Sequence, residues 1–324
     1  MSVRRVFLTL LVCGWCASQL MAAPVWMGRE GTQYATVDNP FEIEFDADGY
    51  LYAGHDVNAN VQIYRIPPGG GAAAPWGTMS PYDPDGLSVA GDFVYAAGEY
   101  DVYRTHRSTG VTQRWTNYST SRNMTTMVVD QAGDYGNPGD IFIGSARHVV
   151  DVEQIDVVTR VATTLVNSAD LYIPRGLVFA RGSLYCLESD ASLGLWQIGS
   201  AGQLTRVDDG GFDWGMPHAL AYHAGEDAFY VGDLDLGQVM RIPRAGGNAE
   251  VVAWDFDYIA AITFDPAGNM YVSDSQNDVI WQMPVPEPSS IALLGAGAVG
   301  LLLLAWRRRG HPRPLVVCNT SADG

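Results

Sequence analysis

The chain has 324 residues, 47% hydrophobic and 11% aromatic, enough for one large domain or two ordinary ones with a real core. All 19 basic residues are Arg, against 36 acids, and residues 24–283 alone hold 13 Arg and 34 acids. So acidic a body excludes nucleic acid or an anionic membrane surface as its partner, and the lack of Lys excludes a Schiff-base amine or a phosphate-loop lysine.

In chain order, residues 1–23 read as a signal peptide. Arg4 and Arg5 precede an apolar stretch, Val6 to Cys16, too short to span a bilayer stably, and small residues then lead to a cleavage point at Ala22 or Ala23. Cys13 and Cys16 lie in this leader and Cys318 near the far end, which leaves Cys186 alone in the body. An internal disulfide is therefore excluded there, and stability must come from packing.

The body, 24–283, is one phrase repeated six times: alternating apolar residues, a turn rich in Asp and Gly, then an apolar-aromatic strand. The clearest copies are Glu42-Ile43-Glu44-Phe45-Asp46-Ala47-Asp48-Gly49-Tyr50-Leu51-Tyr52 and Ala261-Ile262-Thr263-Phe264-Asp265-Pro266-Ala267-Gly268-Asn269-Met270-Tyr271-Val272. Registered on 43, 87, 127, 177, 220 and 262, the copies are 44, 40, 50, 43 and 42 residues apart. Third and fourth strands follow, such as Gln238–Ile242, Val279–Met283, Val111–Trp115 and Glu250–Trp254, and no 3.6-residue period is sustained.

Four short antiparallel strands at about forty-residue spacing predict an all-β fold, a six-bladed β-propeller of four-stranded blades. A seventh blade is the alternative if the long third copy hides one. The sixth copy runs out after its third strand, so Gly31–Val37 is expected to supply the fourth and close the ring. The Asp-Gly turns read as hairpin chemistry, Trp115, Trp196, Trp254 and Trp281 as packing between blades, and Cys186 as buried.

The phrase around Asp265-Pro266-Ala267-Gly268-Asn269 resembles NHL-type repeats and the gluconolactonase-like family, over roughly residues 32–283. In a propeller the innermost strands line a channel, and the ring at its entrance reads Phe41/Glu42, Asp85, Thr125, Arg175, His218 and Ala260. The resemblance implies a divalent cation held there by Glu and Asn or Asp side chains, and Pro84-Asp85-Gly86-Leu87 fits one such segment. Arg175 and His218 oppose that reading. The residues themselves favour a non-catalytic binding module with Glu42, Asp85, Arg175 and His218 as ligand contacts, suited to a polar or acidic sugar and needing no metal or cofactor. The alternative is a metal-dependent, lactonase-type hydrolase with calcium or another divalent cation in the ring.

The C-terminal end has three parts. Residues 284–290 form a Pro-rich linker with Pro286-Glu287-Pro288, residues 291–306 are apolar and predict a transmembrane helix, and 307–324 open with Arg307-Arg308-Arg309. This arrangement resembles the PEP-CTERM sorting signal over 285–309. The resemblance implies export, an exosortase-type protease as partner, and a body held at the cell envelope through the helix or released to the cell surface or matrix. There it would meet an extracellular ligand, polysaccharide or protein.

Overall fold

The computed structural model describes residues 23–283, apart from 27, 56–61, 80–83, 99, 117–122, 147–151, 191 and 209–210. The signal peptide, the Pro-rich linker, the sorting-motif residues Pro286, Glu287, Pro288, Arg307, Arg308 and Arg309, and the apolar run lie outside the described residues. The chain divides into two units, Met1–Pro284 and Val285–Gly324.

The strands begin with a small hairpin, β1 (Val25–Trp26) and β2 (Arg29–Glu30), followed by β3 (Thr32–Thr36). Blade 1 is β4 (Pro40–Phe45), β5 (Leu51–His55), β6 (Gln62–Ile66) and β8 (Ala74–Thr78), with a two-residue β7 (Gly71–Ala72) between the last two. Blade 2 runs through β9 (Gly86–Ala90), β10 (Phe93–Ala97), β11 (Val102–His106) and β12 (Thr112–Arg114). Blade 3 is β13 (Met124–Asp130), β14 (Asp140–Ser145), β15 (Val152–Ile155) and β16 (Ala162–Val166). Blade 4 is β17 (Pro174–Ala180), β18 (Ser183–Glu188), β19 (Gly194–Ile198) and β20 (Leu204–Arg206). Blade 5 holds β21 (Pro217–His223), β22 (Ala228–Asp233), β23 (Gln238–Pro243) and β24 (Glu250–Trp254), and blade 6 holds β25 (Ile259–Phe264), β26 (Met270–Asp274) and β27 (Val279–Met283).

Each blade meanders outward from its first strand by antiparallel pairing. Two blades correct the expectation of uniform four-stranded sheets. Blade 5 has six strands, because β1 pairs with β24 (Val25 opposite Trp254) and β2 follows it. Blade 6 has five, because β3 pairs antiparallel with β27 and β7 adds in parallel beyond it. The N-terminal segment thus finishes two blades, giving their outer strands hydrogen-bond partners that would otherwise be exposed edges.

No sheet closes on itself. Each blade is an open ribbon with an inner and an outer edge, and the ring is completed by pairing the first part of the chain with the last.

The expected C-terminal membrane helix is also corrected. No helix among the described residues is long and apolar enough to cross a membrane; the helix present is a single 3-10 turn, Ser275–Asn277. The anchor expected at 291–306 falls outside the described residues and gains no support.

The apolar face of each blade is buried against its neighbour. Tyr34, Ile43, Leu51 and Tyr271 fill the seam between blades 6 and 1, and Tyr52, Ile63, Leu87 and Val94 the seam between 1 and 2. Phe142, Leu177, Leu184 and Cys186 fill the one between 3 and 4. Between blades 5 and 6 the packing is aromatic: Tyr230 stacks on Trp26 at 5.8 Å and meets Phe264 edge-on at 5.0 Å. The long third copy hides no blade. Its extra residues form the 131–139 turn, whose backbone N–H groups at Gly133 and Tyr135 donate to Asp130 while that of Asn137 donates to Asp140. Trp115 and Trp281 are buried as expected; Trp254 is exposed on the fourth strand of blade 5, where the neighbouring strand is only two residues long.

Candidate functional site in the central channel

The six innermost strands surround a cavity of about 210 Å3. Five of them carry one extra residue near their start, so that two residues oppose one on the second strand. The pairing jumps from Pro40 to Glu42, Met124 to Thr126, Pro174 to Gly176, Pro217 to Ala219 and Ile259 to Ala261. The skipped residues are Phe41, Thr125, Arg175, His218 and Ala260. In blade 2 the equivalent residue, Asp85, precedes the strand and donates its N–H to the Ala97 carbonyl at 3.0 Å.

A bulge re-aims the side chain it carries, which is how one position per blade becomes a ring. Four of these residues follow a proline, in Pro40-Phe41-Glu42-Ile43, Pro84-Asp85-Gly86-Leu87, Pro174-Arg175-Gly176-Leu177 and Pro217-His218-Ala219-Leu220. Proline has no N–H to offer a ladder and suits the first strand residue. That repeated tetrapeptide is the sequence signal for the ring.

The bulges also tie blades together. The Thr125 hydroxyl donates to the Pro174 carbonyl, and His218 Nδ1 lies 3.0 Å from the Ala260 carbonyl. A carbonyl only accepts, so Nδ1 carries the proton and Nε2 is left as an acceptor. Desolvation, helped by the nearby Arg175 charge and opposed by the Ala260 carbonyl, pushes His218 down to about 4. The imidazole is therefore neutral at physiological pH. It is 3% exposed, lines the cavity, and packs edge-on against Phe41 at 5.3 Å.

One step past the ring is a row of small residues: Gly86, Thr126, Gly176, Ala219 and Ala261. The reason is close approach. A Cβ on Gly86 would lie 2.5 Å from the Met127 nitrogen, and one on Gly176 would lie 2.4 Å from the Leu220 Cβ.

Blade 1 places Glu42 in this row, and the inner strands of blades 1 and 2 pack less closely than the other inner pairs. Glu42 is thus a channel residue one position inside the ring, whose blade 1 member is Phe41. Desolvation, then the neighbouring Asp85 and Glu44 charges, push its carboxyl well above the usual range against the pull of Arg175.

Sequence reasoning missed Glu44. It lies two residues on, in a row otherwise made of Ser88, Val128, Val178, Ala221 and Thr263. Desolvation pushes it up to about 7, while the Thr263 hydroxyl, donating across the blade 6–blade 1 seam at 3.5 Å, pulls the other way. The available signal was the pair of charges at alternating positions of a strand that the repeat otherwise fills with small or apolar residues.

Arg175 enters from blade 4, opposite blade 1 in a ring of six. It lines the cavity, and its buried Nε has no hydrogen-bond partner among the described residues. Of the four sequence-derived ligand contacts, Glu42, Arg175 and His218 line the cavity, and Asp85 is close enough to Glu42 for their charges to interact. Among the described residues no group of three or more His, Cys, Asp or Glu side chains could hold a metal ion, so the cation expected from the gluconolactonase-like resemblance finds no donor set.

The acidic turns have a different use. Asp46 accepts from the Asp48 and Tyr50 N–H groups and from Arg107, and Asp265 accepts from the Ala267 and Asn269 N–H groups and the Tyr271 hydroxyl. These carboxylates fold hairpins.

Fold and channel define a six-bladed antiparallel β-propeller, and this one carries a PEP-CTERM protein-sorting motif at residues 284–309. No curated protein matches the chain. Solved structures share its fold. A chain in a crystal structure of a nidogen/laminin complex is 18% identical with a TM-score of 0.58, over 70% of this chain and 90% of that one. A protein of unknown function from Bacteroides thetaiotaomicron is 12% identical with a TM-score of 0.59, over 81% and 74%. A Trichoderma reesei protein of carbohydrate-active enzyme family AA12, in its calcium structure, is 13% identical with a TM-score of 0.58, over 81% and 97%. At these identities the likeness is one of architecture.

Proposed function

We propose that this propeller is a non-catalytic binding module that takes a small polar, carboxylate-bearing ligand at the ring end of its channel. The sorting motif supports export and exosortase-type processing. The observation that carries the reading is Arg175: a guanidinium lining the cavity, with a buried Nε that none of the described residues satisfies. Such a donor is costly to leave unpaired, and a ligand carboxylate would satisfy it with a charge-assisted bond. His218 and Glu42 line the same cavity, offering an Nε2 acceptor and a protonatable acid able to receive or give hydrogen bonds to hydroxyls. A cavity of about 210 Å3 is below the roughly 300–1,000 Å3 of drug-sized sites, so the occupant is sugar-sized or smaller.

Calorimetric titration of the mature protein with hexuronates and other small sugar acids tests this. Binding should persist in chelator and weaken by about tenfold or more in Arg175→Ala, the loss expected for one charge-assisted contact. Unchanged affinity in that variant, or chelator-sensitive lactone hydrolysis by the wild type, would reverse the assignment.

A further inference from the structure

We infer that the ligand of this channel is a small zwitterion, with a carboxylate directed to Arg175 and an ammonium group to the Glu42–Glu44 side. This rests on the binding reading above and names its ligand class. Three separate observations converge on it.

The first is charge placement. The two glutamates lining the cavity come from β4 of blade 1, and its guanidinium comes from β17 of blade 4, on the far side of the ring. Small or uncharged residues fill the two glutamate rows in the other blades, and the other acid of the Arg175 row, Asp85, stands beside Glu42 on the acidic side. A dicarboxylate would set one of its ends against Glu42 and Glu44, and a diamine would set one against Arg175; only a ligand of mixed charge complements both walls.

The second is the seam. Glu42 stands where close packing elsewhere demands Gly, Ala or Thr, and blades 1 and 2 are correspondingly less tightly joined at their inner strands. Glu42 is thus a charged side chain at the wider of the inner seams. A binding role explains its place.

The third is His218. It is 3% exposed, its Nδ1–H is committed to the Ala260 carbonyl, and Nε2 has no partner among the described residues. A bare acceptor in the cavity wall calls for a donor on the ligand. An ammonium group has donors to spare after meeting one glutamate.

Proton linkage follows. Glu44 shares the channel with Glu42 on its own strand, Ser88 from blade 2, Arg175 from blade 4, His218 from blade 5 and Thr263 from blade 6, whose hydroxyl donates to it, while Asp85 from blade 2 stands beside Glu42. An ammonium ligand selects the ionised glutamate, so binding releases a proton and tightens as pH rises through about 7.

The test uses three probes of one chain length: 5-aminopentanoate, glutarate and 1,5-diaminopentane, titrated into the mature protein at low salt. The zwitterion should bind about tenfold or more tightly than either of the others, and its affinity should rise between pH 5.5 and 8 while that of glutarate does not. Glu44→Gln should narrow the preference over glutarate and flatten the pH dependence; Arg175→Gln should narrow the preference over the diamine. Should a variant fail to fold, the wild-type pH series decides alone. Glutarate or the diamine matching the zwitterion, a flat pH series, or no binding of any probe overturns the inference. In the glutarate case the carboxylate-binding reading survives, provided Arg175→Ala abolishes that binding; it fails with the inference if Arg175→Ala changes nothing.

Discussion

The acidic side chains of this propeller fall into two regions with opposite chemistry. Around the turns and strand ends they are saturated with backbone donors: Asp233 accepts from the N–H groups of Gly215, Met216, Asp235 and Leu236, and Glu188 from those of Tyr172, Ile173 and Asp190. In the channel, burial raises the proton affinities of both Glu42 and Glu44, the Asp85 and Glu44 charges add to the effect on Glu42, and one hydroxyl, that of Thr263, is directed at Glu44. The first set holds loops in place and needs no ligand. The second leaves interactions for a ligand to complete. An acidic composition therefore says little about function until each carboxylate is placed.

The largest effect expected on this contrast comes from neither set. Deleting residues 24–37 removes β1 to β3, exposing the edge of β27 and the pockets of Trp26, Tyr34, Ala35 and Val37, all buried. At roughly 1.5–3 kcal/mol for each large apolar side chain, the loss should reach several kcal/mol and abolish a cooperative urea transition. Deleting 24–30 alone should spare the ring and lower stability by much less. Equal damage from both deletions would show that the outer hairpin, and not β3, holds the ends together.

Next in size is Asp233→Ala, which leaves four loop N–H groups without their acceptor. Denaturant unfolding should show a loss of about 2–4 kcal/mol, with ligand affinity changed little in the remaining folded protein.

Glu44→Gln should do the reverse. Because burial raises the folded-state value of Glu44 from 4.5 to about 7, its contribution is fully present below pH 4.5 and lost as pH rises through 7. The variant should match the wild type near pH 5 and exceed it at pH 8, by up to about 3 kcal/mol. A shift of similar size and opposite sense is expected at His218, whose value falls from 6.5 to about 4, so its contribution is present above 6.5 and lost as the pH drops through 4. Replacing it with Asn should reduce acid sensitivity of stability over that window, read from melting temperatures between pH 4 and 7.

Much of this architecture was legible in the chain. The strands at 250–254 and 279–283 and the N-terminal strand beside the latter follow from the repeat and from where its sixth copy stops. The extra hairpin on blade 5 was not legible, because two-residue strands carry no alternation to read. In the channel, Asp85, Arg175 and His218 stood out as charged or titratable residues at one repeat position, and the proline before each marks the strand start, which a bulge follows at Arg175 and His218. Glu42 was found but shared the ring position with Phe41, since a bulge changes which residue points where without changing the sequence pattern. Glu44 was passed over as one half of an ordinary polar alternation; only the other five blades, read column by column, show that its row is otherwise uncharged.

The most direct test of the account is the ionisation of Glu44 in the ligand-free protein, followed through its side-chain carboxyl carbon by NMR and assigned by its disappearance in Glu44→Gln. A midpoint near pH 7 is predicted. A midpoint in the ordinary glutamate range of about 4 to 5 would place Glu44 among the satisfied acids and remove the distinction on which the channel site rests.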